Sequence, residues 1–205
     1  MKKKKVSTRQ LLLETAGELF AENGMKGTSI KMIAEKSKQN IAAANYHFGS
    51  KKNLYIETLK FVVDKLRDGT ELKSGKIPAK SFNSELEKFV QSRCKMLLSR
   101  STPTWYGGLI VRAVQESSKE ALELALEYFG PDIEYLERLA KAGKPKIKPA
   151  AAKLWAYTVT SQIIYYVFSR KTILLVQKRK SYSKDFINEV SDHIIKVCKL
   201  AIKAC

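Results

Sequence analysis

From Leu11 onward the apolar residues of this chain recur at steps of three and four, the spacing that lines one face of an α-helix. Leu11, Leu12, Thr15, Ala16, Leu19 and Phe20 begin the pattern, and Phe186, Val190, Ile194, Val197 and Ile202 end it. Ten Gly and five Pro in 205 residues argue against an all-β chain built on tight turns. The expected fold class is all-α, with about nine helices.

Start and stop signals place the elements. A first helix runs from near Ser7 to Asn23-Gly24, where glycine supplies the left-handed end residue. Thr28 or Ser29 caps a short helix over Ile30 to Lys36. The polar break Ser37-Lys38-Gln39-Asn40 leads to another short helix, Ile41 to His47, with Asn40 as its cap. Gly49-Ser50 closes that unit and opens a helix from Lys51 to about Arg67. The stretch 68–80, with Gly69, Gly75 and Pro78, is the expected domain boundary. Beyond it, helices are expected over Ser81 to Ser99, Trp105 to Gln115, Ser118 to Phe129, Asp132 to Ala142, Pro149 to Ser169 and Ser183 to Ala204. Gly130-Pro131 is expected to separate the third of these from the fourth, and the state of Thr172 to Val176 stays open.

Charge then narrows the partners. Lys and Arg number 38 against 20 Asp and Glu, a net +18, which points to nucleic acid or an anionic membrane surface. Two short helices joined by a tight turn behind a longer one make a helix-turn-helix, here over 29–48. Such a unit lays its second short helix in the DNA major groove. Ala42, Ala43 and Ala44 are small enough to bring that helix close to base edges, and Asn45 offers a donor and an acceptor to adenine. Tyr46 and His47 suit phosphate oxygens. Lys51 and Lys52 stand in the first turn of a helix, where the dipole disfavours cations by roughly 0.3–1 kcal/mol each. A phosphate there reverses the sign; two solvated surface lysines are the other reading. Lys2 to Lys5, in a basic arm over 1–6, either follow the minor groove or stay solvated.

Residues 7–67 resemble the DNA-binding domain of TetR-type (tetracycline-repressor-like) transcriptional regulators. The resemblance rests on Leu19-Phe20-Ala21-Glu22-Asn23-Gly24, on Thr28-Ser29-Ile30 with Ile33-Ala34, and on Asn45-Tyr46-His47-Phe48-Gly49-Ser50-Lys51 with Leu54-Tyr55. It implies an N-terminal three-helix DNA-binding bundle and a larger C-terminal helical domain, 68–205, for ligand binding and dimerisation. It also implies a repressor released from double-stranded operator DNA by a small-molecule effector, and a homodimer formed through the last two helices. By position, Thr28, Tyr46 and His47 would contact phosphates, the run Gln39 to Asn45, with Asn40, Ala42 and Ala43 in it, would face bases, and Lys51 would hold the DNA backbone; Ser29 and Lys38 are further candidate DNA contacts. Phe48 is expected to be a core anchor. The turn departs from the family's usual Gly and apolar pair, with Lys38 and Gln39 in their place. A left-handed Lys38 costs roughly 1 kcal/mol, which a phosphate contact would offset in part.

For the larger domain, Trp105, Arg112, Glu116, Tyr128, Tyr157, Gln162 and Tyr165 are candidate ligand contacts, against the alternative that the aromatics are plain core. Arg112 either neutralises an anionic ligand or pairs with Glu116 one turn on. Lys144, Lys146, Lys148 and Lys178-Arg179-Lys180 spread the basic excess through this domain, so either the ligand is anionic or these residues add nonspecific attraction to DNA. An architectural DNA binder with no ligand is the alternative function. The sequence has no Gly-rich phosphate loop and no metal-ligand cluster, and its two histidines, His47 and His193, lie far apart, so no enzyme and no cofactor is expected. Cys94, Cys198 and Cys205 are odd in number and lack a CxxC pair, which suits a reducing, cytoplasmic compartment. The most apolar window, Trp155 to Phe168, is too short to span a bilayer, and no membrane partner is expected.

Overall fold

The computed structural model describes residues 7–67, 72, 74–116 and 118–205. The basic arm over 1–6, and with it Lys2 to Lys5, lies outside them, as do 68–71 of the expected boundary. Among the described residues there are ten α-helices and one 3₁₀ turn: α1 (Thr8–Gly27), α2 (Ile30–Ser37), α3 (Ile41–Phe48), α4 (Lys51–Arg67), α5 (Phe82–Leu98), α6 (Trp105–Glu116), α7 (Lys119–Gly143), α8 (Pro149–Phe168), α9 (Arg170–Val176) and α10 (Lys184–Ala204). The open stretch Thr172 to Val176 is thus helical, and its Leu175 and Val176 are exposed.

The chain forms two compact units. One gathers residues up to 68 with Trp105–Leu126, and the other gathers 69–104 with Glu127–Cys205. The first unit is therefore larger than residues 7–67, because α6 returns to pack along α1. Gly17 makes this possible: a Cβ there would sit 2.1 Å from the Trp105 ring. The core of this unit includes Leu12, Ala16, Phe20, Ile33, Leu54, Tyr55, Leu59 and Leu109, all buried, with the Phe20 and Tyr55 rings edge to face at 5.0 Å.

Ser7 caps α1, its hydroxyl accepting from the Gln10 N–H. Gly24, at φ 74° and ψ 171°, breaks the helix at the expected position, and one further turn then runs on to Gly27. Two side chains from α6 close the gap. Arg112 Nη1 donates to the Ala21 carbonyl at 3.4 Å, and Glu116 Oε1 accepts from the Met25 N–H at 3.2 Å. A side chain at 24 would meet the same carboxylate, with its Cβ 2.5 Å from Glu116 Oε1.

In the second unit α5, α8 and α10 pack on one another. Leu86, Val90, Cys94, Trp155, Val159, Ile194 and Cys198 fill the space between them. Trp155 Nε1 donates to the Cys198 carbonyl at 3.0 Å, so the largest buried ring keeps its polar atom satisfied. Arg170 closes α5, donating to the Leu97 carbonyl at 2.8 Å and lying over the Tyr182 ring at 4.6 Å. A cation at a helix C-terminus is favoured by the dipole.

One helix boundary differs from expectation. Gly130-Pro131 does not split the segment: α7 runs through it without interruption to Gly143. The proline forfeits its own ladder hydrogen bond. Tyr128, Asp132, Tyr135, Leu136 and Leu139 nevertheless share a buried face, and that burial holds the helix together.

Candidate nucleic-acid interface

The helix-turn-helix is fixed at each end by local chemistry. Ser29 is the cap of α2, its Oγ accepting from the Met32 N–H at 3.1 Å. Thr28, the other candidate, turns inward: it is 1% exposed, and its hydroxyl donates to the Gly24 carbonyl at 2.8 Å and the Leu19 carbonyl at 3.2 Å. Its hydroxyl therefore braces the end of α1 and is not presented to a phosphate. At the end of α2, Lys38 adopts φ 55° and ψ 36°, the left-handed conformation expected of it. The Gln39 N–H returns to the Ala34 carbonyl at 2.9 Å and the Lys38 N–H to the Glu35 carbonyl at 3.1 Å, a Schellman closure made without glycine. Gln39 is half-buried, and its amide donates to the Ser37 carbonyl at 3.3 Å. Asn40 caps α3, Oδ1 accepting from the Ala42 N–H at 2.8 Å, which commits one face of that side chain to the fold.

Helix α3 buries only Ala44 and Phe48. Ala44 thus faces the core and not the groove, while Ile41, Ala42, Asn45, Tyr46 and His47 are exposed and Ala43 is half-buried. Tyr46 is 86% exposed, an extreme value for a large aromatic ring. The helix is held from behind by Arg9, whose guanidinium lies 5.4 Å from the Phe48 ring centre and donates to Glu57 at 2.8 Å. Arg9 gave no signal in the sequence, because its partners lie on α3 and α4. Ile41, inside the run expected to face bases, is 43% exposed at the first turn of α3.

The two lysines at the start of α4 have partners inside the protein. Lys51 Nζ donates to the Thr28 carbonyl at 2.9 Å, tying α4 to the segment before α2. Lys52 pairs with Glu120 at 2.6 Å, and this lysine holds the Glu120 carboxyl below its usual range. Their placement at a helix N-terminus is therefore accounted for without DNA. Ser50 caps α4 through the Asn53 N–H at 3.1 Å. Even so, residues 28–52 hold five lysines (31, 36, 38, 51, 52) and one carboxylate, Glu35, so the surface carries the positive sign that a phosphate backbone requires.

The seven ligand candidates are divided between the two units. Trp105, Arg112 and Glu116 belong to the first unit, where they pack against α1 as described. Tyr157 and Tyr165 are 48% and 57% exposed on α8, and the Gln162 amide donates to Cys198 Sγ at 3.4 Å. Only Tyr128 lines a cleft of the second unit, between α5, α7 and α8, together with Arg93 and Asp132. Arg93 and Asp132 form a buried bidentate ion pair there, Nε to Oδ2 at 2.6 Å, and neither was singled out by sequence because they are 39 residues apart. Burial pushes the Cys94 and Cys198 thiols up to about 11, so neither is poised for redox chemistry.

Comparison with known proteins agrees with this architecture. Residues 12–58 match the family described as "Bacterial regulatory proteins, tetR family". Residues 83–205 match "HTH-type transcriptional dual regulator CecR, C-terminal domain". The HTH-type transcriptional dual regulator CecR of Shigella flexneri is 39% identical over 56 residues, 27% of this chain and 25% of that protein. The HTH-type transcriptional repressor AcnR of Corynebacterium glutamicum is 36% identical over 53 residues, 26% of this chain and 28% of that protein. The matched stretch thus spans only about a quarter of each of these relatives. The crystal structure of AibR in complex with isovaleryl coenzyme A and operator DNA shares the fold, with a TM-score of 0.66, 13% identity, and coverage of 93% of this chain and 97% of that one. With the amino-terminal motif and more than half of the chain accounted for, the protein belongs to the TetR family of transcriptional regulators, with a carboxy-terminal domain of the CecR type.

Proposed function

We propose that this chain represses transcription by binding a two-fold symmetric operator as a homodimer, and that a small molecule taken up in the second unit releases it. The observation that carries this reading is the α3 surface. Asn45, Tyr46 and His47 stand exposed on a helix whose opposite side is anchored by Ala44 and Phe48. Asn45 supplies adenine readout, Tyr46 and His47 phosphate contacts, and Lys38 a further phosphate contact from the turn. Ile41 suits a thymine methyl. Lys51 acts by holding the Thr28 carbonyl and so sets the angle at which the helix-turn-helix is presented.

Dimerisation is assigned to α8 and α10, whose outward sides carry Leu154, Tyr157, Tyr165 and Phe168 on one and Leu200 on the other, all more than one-third exposed in the single chain. Two such helices from each subunit make a four-helix interface. Both α3 helices enter successive major grooves only when they stand roughly 34–36 Å apart. An effector acts by favouring a different spacing, to the extent of its differential affinity for the two states. AcnR is named a repressor and the AibR complex holds both a ligand and operator DNA, which supports the same scheme here.

DNase footprinting on the DNA upstream of the protein's own coding region tests the proposal. A short symmetric footprint is expected, lost in Asn45→Ala and Tyr46→Ala while both variants keep the parent's thermal stability to within about 0.5 kcal/mol. Each lost base contact is expected to cost roughly 1–3 kcal/mol of discrimination. Salt-sensitive coverage without a preferred site, equal in parent and variants, would leave an architectural binder instead.

A further inference from the structure

Between the end of α5 and the start of α10 the second unit carries a groove of about 800 Å³, within the usual range for small-molecule sites. Lys95 from α5, Arg100 from the turn after it and Lys184 from α10 line it, and Asp192 is the one carboxylate among its described lining residues. Three cations against one carboxylate leave two positive charges over. Lys95, Lys184 and Asp192 form no ion pair among the described residues, so the protein does not meet that surplus itself. Further along the same two helices the opposite holds, and Lys199 pairs with Glu87 at 2.7 Å. The end of α5 does not call for these cations either. Arg170 already donates to its Leu97 and Leu98 carbonyls, at 2.8 Å and 3.3 Å.

The groove can orient a ligand as well as attract it. Arg100 Nη2 donates to Ser181 Oγ at 2.7 Å, which positions the guanidinium and leaves its other N–H groups for phosphate oxygens. The Ser99 and Ser101 hydroxyls, 2.6 Å apart, stand on the same wall. The floor is apolar, because Tyr182 and Ile187 are buried and the polar atoms beside them are spent on the fold. The Tyr182 hydroxyl donates to the Tyr166 carbonyl at 2.9 Å, and Ser191 Oγ donates to the Ile187 carbonyl at 2.8 Å. A concave wall of one sign concentrates small counter-ions. A monoanion would leave one charge of the surplus unmet, whereas a phosphomonoester, with about −1.5 to −2 charge at pH 7, meets both.

We propose that this groove binds a small organic phosphomonoester, its phosphate held by Arg100 and neutralised by Lys95 and Lys184, its apolar or aromatic body on Tyr182 and Ile187. The inference rests on the reading that the second unit receives the effector, and it assigns that effector a place and a chemical class.

Calorimetric titration of the full-length protein, without DNA, with naphthyl phosphate, naphthalenesulfonate and naphthol tests it. The phosphate is expected to bind tightest, the sulfonate about tenfold more weakly and naphthol about a hundredfold more weakly. Arg100→Gln, and Lys95→Gln with Lys184→Gln, are each expected to lower phosphate affinity about tenfold. Asp192→Asn removes the opposing carboxylate and is expected to raise it about threefold. All four side chains are exposed, so the fold is kept. Lys153→Gln, an exposed lysine on α8 outside the groove, is expected to change nothing. No binding of naphthyl phosphate, equal affinity for the sulfonate, or an equal loss in Lys153→Gln overturns the proposal, the last by reducing it to general charge attraction. Footprinting with naphthyl phosphate present addresses the other question. A bound probe that leaves the footprint intact overturns release by ligand at this groove while the site and its ligand class stand.

Discussion

Lys38 stands at φ 55°, where a side chain carries about 1 kcal/mol of strain that glycine does not. Lys38→Gly relieves the strain but adds roughly 0.5 kcal/mol of unfolded-state freedom. A net gain of about 0.5 kcal/mol is expected in thermal unfolding of the free protein. The same substitution is expected to weaken operator binding and to reduce the slope of log K against log salt by about 0.9, the signature of one phosphate contact removed. A variant that gains stability and keeps the parent's salt slope would remove Lys38 from the DNA interface. Thr28 and Lys51 form the contrasting pair: both matched the family's phosphate-contact positions, and both are joined to one segment, Thr28 through its inward hydroxyl and Lys51 through the Thr28 carbonyl.

At the scale of the element, the contact of α6 with α1 depends on one missing methyl group. Gly17→Ala would place a carbon 2.1 Å from the Trp105 ring, so the ring or the helix must move. A loss of about 1–3 kcal/mol is expected, the usual range for overpacking. Trp105 fluorescence should shift with it, while Trp155, 1% exposed in the other unit, should not. Helix α7 offers a change of the opposite sign. Pro131 withholds a donor from the middle of a 25-residue helix. Pro131→Ala restores that donor and is expected to raise stability by about 1–3 kcal/mol in denaturant unfolding. No gain would mean that the proline ring is itself required for the packing of Tyr128 and Asp132.

For the whole molecule, the buried titrating groups set an alkaline limit. Cys94 and Cys198 ionise near 9.0 when exposed and at about 11 when buried, and Tyr55, Tyr128 and Tyr135 are raised from 10.0, in each case chiefly by burial. Their contribution to stability is complete below the unfolded values. As pH climbs through 9 and then 10 the unfolded chain releases protons that the folded chain retains, so stability falls with rising pH. The thermal midpoint is expected to hold up to about pH 8.5 and to drop beyond it, and Cys94→Ser with Cys198→Ser should flatten the first part of that decline. A midpoint level through pH 10.5 would contradict the burial of these thiols. Among the described residues no helix is long and apolar enough to cross a membrane.

Much of this was legible in the residue order. Helical period, serine and asparagine caps, the break at Gly24 and the left-handed Lys38 all depend on neighbours within five positions, and each was found where the local pattern put it. The exposed face of α3 followed only in part: Phe48 was expected as an anchor, whereas Ala44, expected at the groove, is buried beside it, and the two leave Asn45 and Tyr46 outward. Other assignments depended on partners far along the chain. Arg112 and Glu116 reach α1 across 91 residues, Lys52 reaches Glu120 across 68, and Arg93 reaches Asp132 across 39. A charged side chain has the same local pattern whether it faces solvent, a ligand or a helix end. Only the packing that brings its partner within hydrogen-bond distance decides among them, and the same packing carried α7 through Pro131 and left the Tyr128 hydroxyl without a hydrogen-bond partner among the described residues.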